Sequence, residues 1–449
     1  MSRTVTEDGR IITTQTHLTR EQKEAVGLLS MGTFLEYFDL MLYVHMAVLL
    51  NELFFPQTDP HVAKLLSAAA FSSTYLLRPF GAYIFGYIGD HMGRKFVVIM
   101  TTLMMGISCI IIAILPTYAQ IGLLASWILT LARMIQGVAA TAEARGAEIY
   151  LTESSSPPIQ YPLVTIVTAC SAIGTTVALG VASFFTSATY NAQGQFSWRT
   201  AFWVGALIAL IGTIARTTLK EANEFMNKNK KLKNRLADNK LGFNKFNEEL
   251  ANQSVPIFTS VAYLFIQCAR PPCFYFVYIY CADILKQQCG FSVNEVINQN
   301  FWVSLVDLFG IIMLAYLSYI IHPLKILKAK LYLFFASIIS FPIVLSYSHN
   351  SNYIFIFQCL AALFVFDHVP ASPIFYKYFP IFKRFTYTSV LSAIAKLLTT
   401  FITSFGLVFA TKSYGYWGLF LIIVPVGILF FIGVSYFEKM ERLNTETMY

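Results

Sequence analysis

Ten residues decide how this chain folds: Gly86-Tyr87-Ile88-Gly89-Asp90-His91-Met92-Gly93-Arg94-Lys95. They lie between two long apolar stretches and include three glycines, one aspartate and two adjacent cations. Glycine permits close helix approach and positive φ angles, and an aspartate can bond to neighbouring cations or helix N-termini. The segment is therefore predicted to form a tight, charged turn between two helices.

The composition indicates that these helices cross a membrane. Of the 449 residues, 56% are hydrophobic and only 12% are charged, which is about half the charged fraction of soluble domains. So few charges could not cover the surface of soluble domains of this length. Disordered proteins, nucleic-acid binders and disulfide scaffolds are thereby excluded. The seven cysteines form no C-x-x-C pair, so we expect buried cysteines and neither a metal nor a cofactor.

Outward from the turn, the chain contains twelve apolar stretches of about 20 residues, the length that crosses a bilayer core as a helix. We number them spans 1 to 12: 26–50, 65–88, 96–115, 121–142, 161–186, 200–219, 256–285, 301–321, 329–347, 352–376, 387–410 and 415–436. Span 7 contains Arg270-Pro271-Pro272, which predicts a kink.

A polar, lysine-rich linker at 220–255 separates six spans at 26–219, the N-half, from six spans at 256–436, the C-half. Tails at 1–25 and 437–449 flank them. The predicted fold is an all-α integral membrane protein with twelve transmembrane helices in two pseudo-symmetric six-helix bundles.

Positive residues between the spans predict an orientation, because cytoplasmic loops carry an excess of lysine and arginine. With a cytoplasmic N-terminus, 23 of the 32 lysines and arginines lie in inner tails and loops, and four lie in outer loops. The net charge of +8 therefore records topology and needs no nucleic-acid partner. Both termini are predicted to be cytoplasmic, in a bacterial inner membrane, and no cleaved signal peptide is expected at the polar N-terminus.

A few charged residues remain inside the spans, where each must face protein or water because a charge at the bilayer centre is costly. Glu36 and Asp39 lie three residues apart on one face of span 1. Stacked carboxylates at this depth predict an aqueous cavity and a proton-binding group. Charged residues at comparable depth elsewhere are Arg78, Arg133, Glu143, Arg216, Arg270, Asp283, Asp307, Asp367 and Lys396.

The segment Gly86–Lys95 resembles G-x-x-x-D-x-x-G-R-[RK], the signature of the major facilitator superfamily, with His91 in place of the usual basic residue. Four further segments resemble the metabolite:proton symporter family, and its proline/betaine transporters in particular. They are Glu36-Tyr37-Phe38-Asp39, Leu77-Arg78-Pro79-Phe80-Gly81, Arg133-Met134-Ile135-Gln136-Gly137 and Glu143-Ala144-Arg145-Gly146. The repeat of the signature in the C-half, Ser318–Lys325, lacks the aspartate and the Gly-Arg pair.

The resemblance implies a transporter, and not an enzyme, whose halves rock about a central site. No ATP-binding motif is present, so a proton gradient is expected to drive uptake of a zwitterion such as proline or glycine betaine by a monomer in the bilayer. We expect Glu36 and Asp39 to bind the proton, with Arg78, Arg133 and Glu143 at the same cavity. A substrate wall is assigned to Tyr37, Phe38 and Arg270, and a cytoplasmic gate to Gly86, Asp90, Gly93, Arg94, Lys95 and Arg384.

Other interpretations remain open at this point. Relatives in the same family carry dicarboxylates and keto acids, and several intramembrane arginines would suit an anionic substrate. The degraded signature in the C-half would also fit a non-transporting sensor or a decaying paralogue. Among the residues, Glu36 and Arg78 could pair only to join helices, Tyr37 and Phe38 could serve packing, and Arg270 could cap the broken helix.

Overall fold

The computed structural model describes residues 2–5, 11–15, 17–55, 75–188, 199–218, 255–347 and 350–446. Long apolar runs form helices because a helix satisfies every backbone polar group within its own segment. The N-half consists of the helices Arg20–Phe54, Arg78–Met92, Arg94–Ile114, Tyr118–Ile121, Leu123–Ser154, Gln160–Ala188 and Arg199–Arg216. The linker at 220–254 lies outside the described residues.

The helices of the C-half are more often broken. Span 7 is divided into Ile257–Gln267, Arg270–Tyr275, a π-helical turn at Phe276–Tyr280, and Cys281–Gln288. The predicted interruption at Arg270-Pro271-Pro272 is therefore found, and the two prolines occupy the first turn of the second piece, where proline is tolerated. The remaining elements are Val293–Ile320, Pro323–Ile339, Phe341–Tyr347, Ser351–Leu363, Ser372–Lys377, Ile381–Tyr414, a 3₁₀ turn at Gly415–Leu419, and Phe420–Glu446.

Within the described residues, nine helices are long and apolar enough to cross a membrane. They correspond to spans 1, 3, 4, 5, 6, 8, 9, 11 and 12. Span 2 is described only from residue 75, span 7 is divided, and span 10 is helical only at Ser351–Leu363 and Ser372–Lys377.

Span 9 starts earlier than predicted. Its helix begins at Pro323, because proline is favoured in the first turn of a helix, and not near 329. Lys325 and Lys328 therefore also lie on the helix, although the sequence had placed them before span 9. Lys328 forms an ion pair with Glu438 on span 12.

The two halves meet along two helix pairs, span 2 against span 11 and span 5 against span 8. Inside the N-half, span 1 packs on span 5, where a Cβ on Gly174 would lie 2.3 Å from the carbonyl oxygen of Phe34. Inside the C-half, span 7 packs on span 12. Small residues allow this close approach between helices in lipid.

The chain also contains one element that the sequence did not predict. Ser2–Val5 and Ile11–Thr14 form a two-stranded antiparallel hairpin before span 1. After it, Gln15 bonds through its backbone N–H to the carbonyl of Pro157, at the connection between spans 4 and 5. The N-terminal segment is thereby attached to the end of the bundle that carries the Gly86–Lys95 turn.

Candidate functional site

A cavity of about 70 Å³ lies between the two halves, and we call it the central cavity. Spans 1 and 2 line it from the N-half, and spans 7 and 11 line it from the C-half. Its polar and aromatic lining residues are Glu36, Tyr37, Tyr75, Arg78, Arg270, Phe274, Tyr275, Lys396, Thr400 and Thr403. The sequence had assigned Glu36, Tyr37, Arg78 and Arg270 to such a cavity, and the structure places these four together.

Positive charge predominates in the central cavity. Three described lining residues are cations, Arg78, Arg270 and Lys396, and one is a carboxylate, Glu36. Arg78 is only 4% exposed and lies 4.2 Å from the centroid of the Tyr75 ring, and its Nε makes no hydrogen bond to any described residue. Desolvated cations of this kind are suited to binding a carboxylate.

Asp39 has a different environment from Glu36, although the two were expected to act as a stacked pair. Asp39 is buried inside the N-half, where its Oδ2 lies 3.4 Å from Arg133 Nη1. Its Oδ1 accepts hydrogen bonds from Gln136 (2.9 Å) and from the Cys109 thiol (3.3 Å). Arg133 also donates to Gln136 at 2.7 Å. Asp39 therefore belongs to a buried network on spans 1, 3 and 4, whereas Glu36 lines the central cavity.

The predicted aromatic wall is only half present. Tyr37 lines the central cavity, and the Arg270 guanidinium lies 5.9 Å from the centroid of its ring. Phe38 is fully buried in the N-half core and stacks on Phe34 with ring centroids 6.0 Å apart. The side chain of Glu143, which the sequence also placed here, lies outside the described residues.

The Gly86–Lys95 turn and the start of span 11 meet at one end of the bundle, which we call the latch face. Asp90 is 2% exposed and accepts hydrogen bonds from the other half of the molecule. The donors are the backbone N–H of Phe385 (3.2 Å), the backbone N–H of Thr386 (2.8 Å) and the Thr386 hydroxyl (2.7 Å). The aspartate lies near the N-terminus of the helix Ile381–Tyr414, where a negative charge is favourable.

Glycines of the same turn allow this contact. A Cβ on Gly86 would lie 2.6 Å from Thr386 Cα, and one on Gly89 would lie 2.2 Å from the Phe385 ring. Gly93 has a φ of +109°, which L side chains rarely adopt. Lys95 bonds to the carbonyl oxygen of Thr217 at the end of span 6. The side chain of Arg94 lies outside the described residues.

Arg384 also lies at the latch face, where it forms an ion pair at 3.1 Å with Glu153 on span 4. The sequence had assigned Arg384 to the gate with Asp90 but had not identified Glu153 as its partner. A second buried group joins the halves one turn deeper. Arg145 Nη1 donates to Glu148 (2.9 Å) and to the Tyr376 hydroxyl (2.8 Å).

Glu148 contacts residues of both halves. Tyr376 donates to it, and His368 Nε2 lies 3.3 Å from its Oε1. Together with Arg384–Glu153 and the hydrogen bonds of Asp90, this group joins the two halves at the latch face. Among the described residues, the latch face is therefore held closed by buried polar contacts.

The sequence profile of the Major Facilitator Superfamily matches residues 29–347 of the chain, which is more than half of its length. The chain belongs to the major facilitator superfamily. The predicted fold of twelve transmembrane helices in two six-helix bundles is thereby confirmed, and the protein is a multi-pass membrane protein.

Two bacterial relatives are similar over part of the chain. A Staphylococcus aureus protein named as a candidate proline/betaine transporter is 34% identical over 212 residues, which cover 46% of this chain and 45% of that protein. The inner membrane metabolite transport protein YhjE of Escherichia coli is 36% identical over 198 residues, covering 43% and 44% of the two chains. The chain spans about half the length of the relatives it matches.

Solved structures share the fold over nearly the whole chain. The proton:xylose symporter XylE, solved with 6-bromo-6-deoxy-D-glucose, superposes with a TM-score of 0.75 at 13% identity, covering 93% of this chain and 95% of that one. The human organic anion transporter MFSD10 gives a TM-score of 0.68 at 13% identity, covering 94% and 100%. At such identities, the likeness concerns the fold alone.

Several polar residues of this superfamily member were missed from the sequence. Gln136 lies within the quoted motif Arg133–Gly137, yet it was not assigned to the network of Asp39. Glu148 and Glu153 lie three and eight residues after Arg145, near the end of the span 4 helix. A carboxylate in such a position is ordinarily expected at the membrane–water interface. Only the position of span 11 across the latch face shows that they join the two halves.

Proposed function

We propose that the chain is a proton-coupled symporter that takes up a small, carboxylate-bearing metabolite by alternating access of its N-half and C-half. The observation that carries the proposal is the buried pair Asp39–Arg133 beside the central cavity. A carboxylate that is 3% exposed and held by a single cation can take up a proton, which releases the arginine. Proton binding can thereby change the contacts between spans 1 and 4.

The first candidate substrate is a zwitterion such as proline or glycine betaine. Arg78 or Arg270 would bind its carboxylate, and Glu36 with the Tyr37 ring would bind its ammonium group. The name of the Staphylococcus aureus relative supports this class, as does the presence of both charge signs in the central cavity.

The second candidate is a dicarboxylate such as 2-oxoglutarate, because of the charge excess in the central cavity. Three cations face one carboxylate among its described lining residues. A zwitterion leaves this excess unchanged, whereas a dianion neutralises it. The two candidates differ only in the second group of the substrate, so a direct comparison can decide between them.

The distribution of positive loop residues supports an inner-membrane protein with both termini and the latch face on the cytoplasmic side. The latch face would then be the cytoplasmic gate, with Asp90, Lys95 and Arg384 among its residues, and it is closed in this structure. The transport unit would be a monomer, with the halves at 26–219 and 256–436 joined by the basic linker.

The test is uptake of labelled proline, glycine betaine and 2-oxoglutarate into vesicles that contain the purified protein, with and without a proton gradient. We expect accumulation of one of these solutes that an uncoupler abolishes. Accumulation that persists with the uncoupler would refute proton coupling. No uptake of any of the three would refute the proposal and favour a sensor.

A further inference from the structure

A second group of charged residues lies inside the C-half, next to the central cavity. Arg270 on span 7 forms an ion pair at 2.8 Å with Asp367, which precedes the second helix of span 10. Lys330 on span 9 lies 3.8 Å from the other oxygen of the same carboxylate. With Asp307 on span 8, these residues line a cavity of about 370 Å³ with mostly apolar walls.

Asp307 differs from the other three residues of this group. It is the fifteenth of 28 residues in its helix, so it lies near the middle of span 8. Among the described residues it takes part in neither a hydrogen bond nor an ion pair within 4 Å. Both cations of the group are already bound by Asp367. An ionised carboxylate at this depth without a direct partner is costly, and protonation removes that cost.

The groups that share the cavity with Asp307 come from three neighbouring spans. Span 7 contributes Arg270 and Tyr278, span 9 contributes Lys325 and Lys330, and span 10 contributes Asp367. Span 5, which also packs against span 8, contributes only the uncharged Thr168. The charge of Asp307 therefore acts chiefly on the two partly buried cations, Arg270 and Lys330.

Arg270 connects this cavity to the central cavity, because it lines both. Its side chain is 24% exposed, and its guanidinium also faces the Tyr37 ring across the boundary between the halves. In the six-plus-six repeat, spans 7 and 10 of the C-half correspond to spans 1 and 4 of the N-half. The pair Arg270–Asp367 on spans 7 and 10 is therefore the counterpart of the pair Asp39–Arg133 on spans 1 and 4. The acid lies on the first span of the pair in the N-half and on the second span of the pair in the C-half.

We propose that Asp307 is a second proton-binding residue, and that its protonation releases Arg270 to bind the carboxylate of the substrate in the central cavity. With Asp307 ionised, two carboxylates balance the charges of Arg270 and Lys330. Once Asp307 is protonated, the two cations share Asp367 alone, so Asp367 holds Arg270 less strongly. A proton from water neutralises Asp307, so the group gains a net positive charge that an anionic substrate group can offset. Proton and substrate then favour each other's binding, as linkage requires. This inference rests on the proposed function.

The first experiment detects the proton directly and does not depend on transport. Infrared difference spectra between acidic and alkaline pH, recorded on the protein in liposomes, report the carbonyl stretch of protonated carboxylic acids. We expect the D307N variant to lose one such band that both wild type and E295Q retain. Glu295 is a matched control, since it is an exposed carboxylate at the start of the same helix. A band unchanged in D307N overturns the proposal.

The second experiment measures coupling with whichever of proline, glycine betaine or 2-oxoglutarate the wild type accumulates. We expect the affinity of D307N for that solute to rise less on acidification than that of wild type, because Asp39 still binds a proton, and we expect D307N to move one proton fewer per solute, with D307E restoring both. A wild-type proton ratio in a folded D307N refutes this inference while the proposed function stands. If the wild type accumulates none of the solutes, the proposed function fails, and the coupling role of Asp307 fails with it.

Discussion

Replacing Asp90 with asparagine tests whether the latch face is held closed by that carboxylate. The two side chains have nearly the same shape, so helix packing around Gly86 and Gly89 is preserved. The charge disappears, and one of the two carboxylate oxygens becomes an amide nitrogen that cannot accept a hydrogen bond. The variant should therefore weaken the contact between spans 2 and 11 without changing the fold of either half.

The magnitude follows from the hydrogen bonds. One oxygen of Asp90 accepts from the Phe385 backbone, and the other accepts from the Thr386 backbone and hydroxyl. Loss of one charged hydrogen bond costs about 1.5–3 kcal/mol. Since these bonds cross between the halves, the cost applies only to the closed latch face. The closed-to-open ratio should fall by about 12- to 140-fold, at about 1.4 kcal/mol for each factor of ten.

The population of the closed latch face can be measured with a pair of spin labels. Met92 and Tyr387 are 63% and 38% exposed and lie on either side of the contact, on spans 2 and 11. In a background without reactive cysteines, the distance distribution between labels at these sites should show one short component in wild type and a longer one in D90N. The control is E24Q, which neutralises an exposed carboxylate in the ion pair with Arg20.

The reasoning is refuted if D90N retains the wild-type distance distribution and transport rate while its thermal unfolding is also unchanged. It is equally refuted if E24Q opens the latch face as far as D90N, because general surface charge would then explain the effect. A variant with unchanged stability, a longer distance and slower transport would support the assignment of Asp90 as the latch.

Three further substitutions test other parts of the site. D39N mimics the protonated carboxyl beside Arg133, so gradient-driven accumulation should be lost and counterflow exchange retained, as measured in the same vesicles. K396M removes a cation of the central cavity and should weaken equilibrium binding of the carboxylate solute by about tenfold or more, from the loss of about 1.5–3 kcal/mol; unchanged binding would exclude Lys396 from the site. E148Q leaves Arg145 buried without its carboxylate, at a cost of about 3–5 kcal/mol, and should shift the spin-label distances towards opening, an effect that R20Q should not reproduce.

The sequence predicted the architecture because membrane folding depends on a coarse property, the length of apolar runs. The interruption of span 7 was also predictable, since Pro271 and Pro272 cannot continue the hydrogen-bond ladder of a helix. The start of span 9 at Pro323 was missed, because three lysines reduced the apparent hydropathy of its first turns. On that helix, Lys330 reaches Asp367 and Lys328 reaches Glu438, so these lysines are stabilised by protein contacts that hydropathy does not register.

The candidate site was less predictable, since spacing in one helix shows which residues share a face but not which neighbour that face meets. Glu36 and Asp39 are three residues apart, yet one lines the central cavity and the other lies among Arg133 and Gln136. Tyr37 and Phe38 likewise face the central cavity and the N-half core, respectively. The identity of the neighbouring helix decides each role.

The lost signature of the C-half has a structural consequence for the gates. In the N-half, the turn between spans 2 and 3 provides Asp90, which reaches across to the first turns of span 11. The corresponding turn between spans 8 and 9 has His322 and Pro323, and Ser318 bonds to the carbonyl of Ala315 within its own helix. Within the described part of the chain, this turn makes no hydrogen bond to the N-half, whereas each half contains an intramembrane charge pair, Asp39–Arg133 or Arg270–Asp367. The two halves therefore differ at both places: among the described residues only the N-half turn bonds across the latch face, and the acid lies on span 1 in Asp39–Arg133 but on span 10 in Arg270–Asp367.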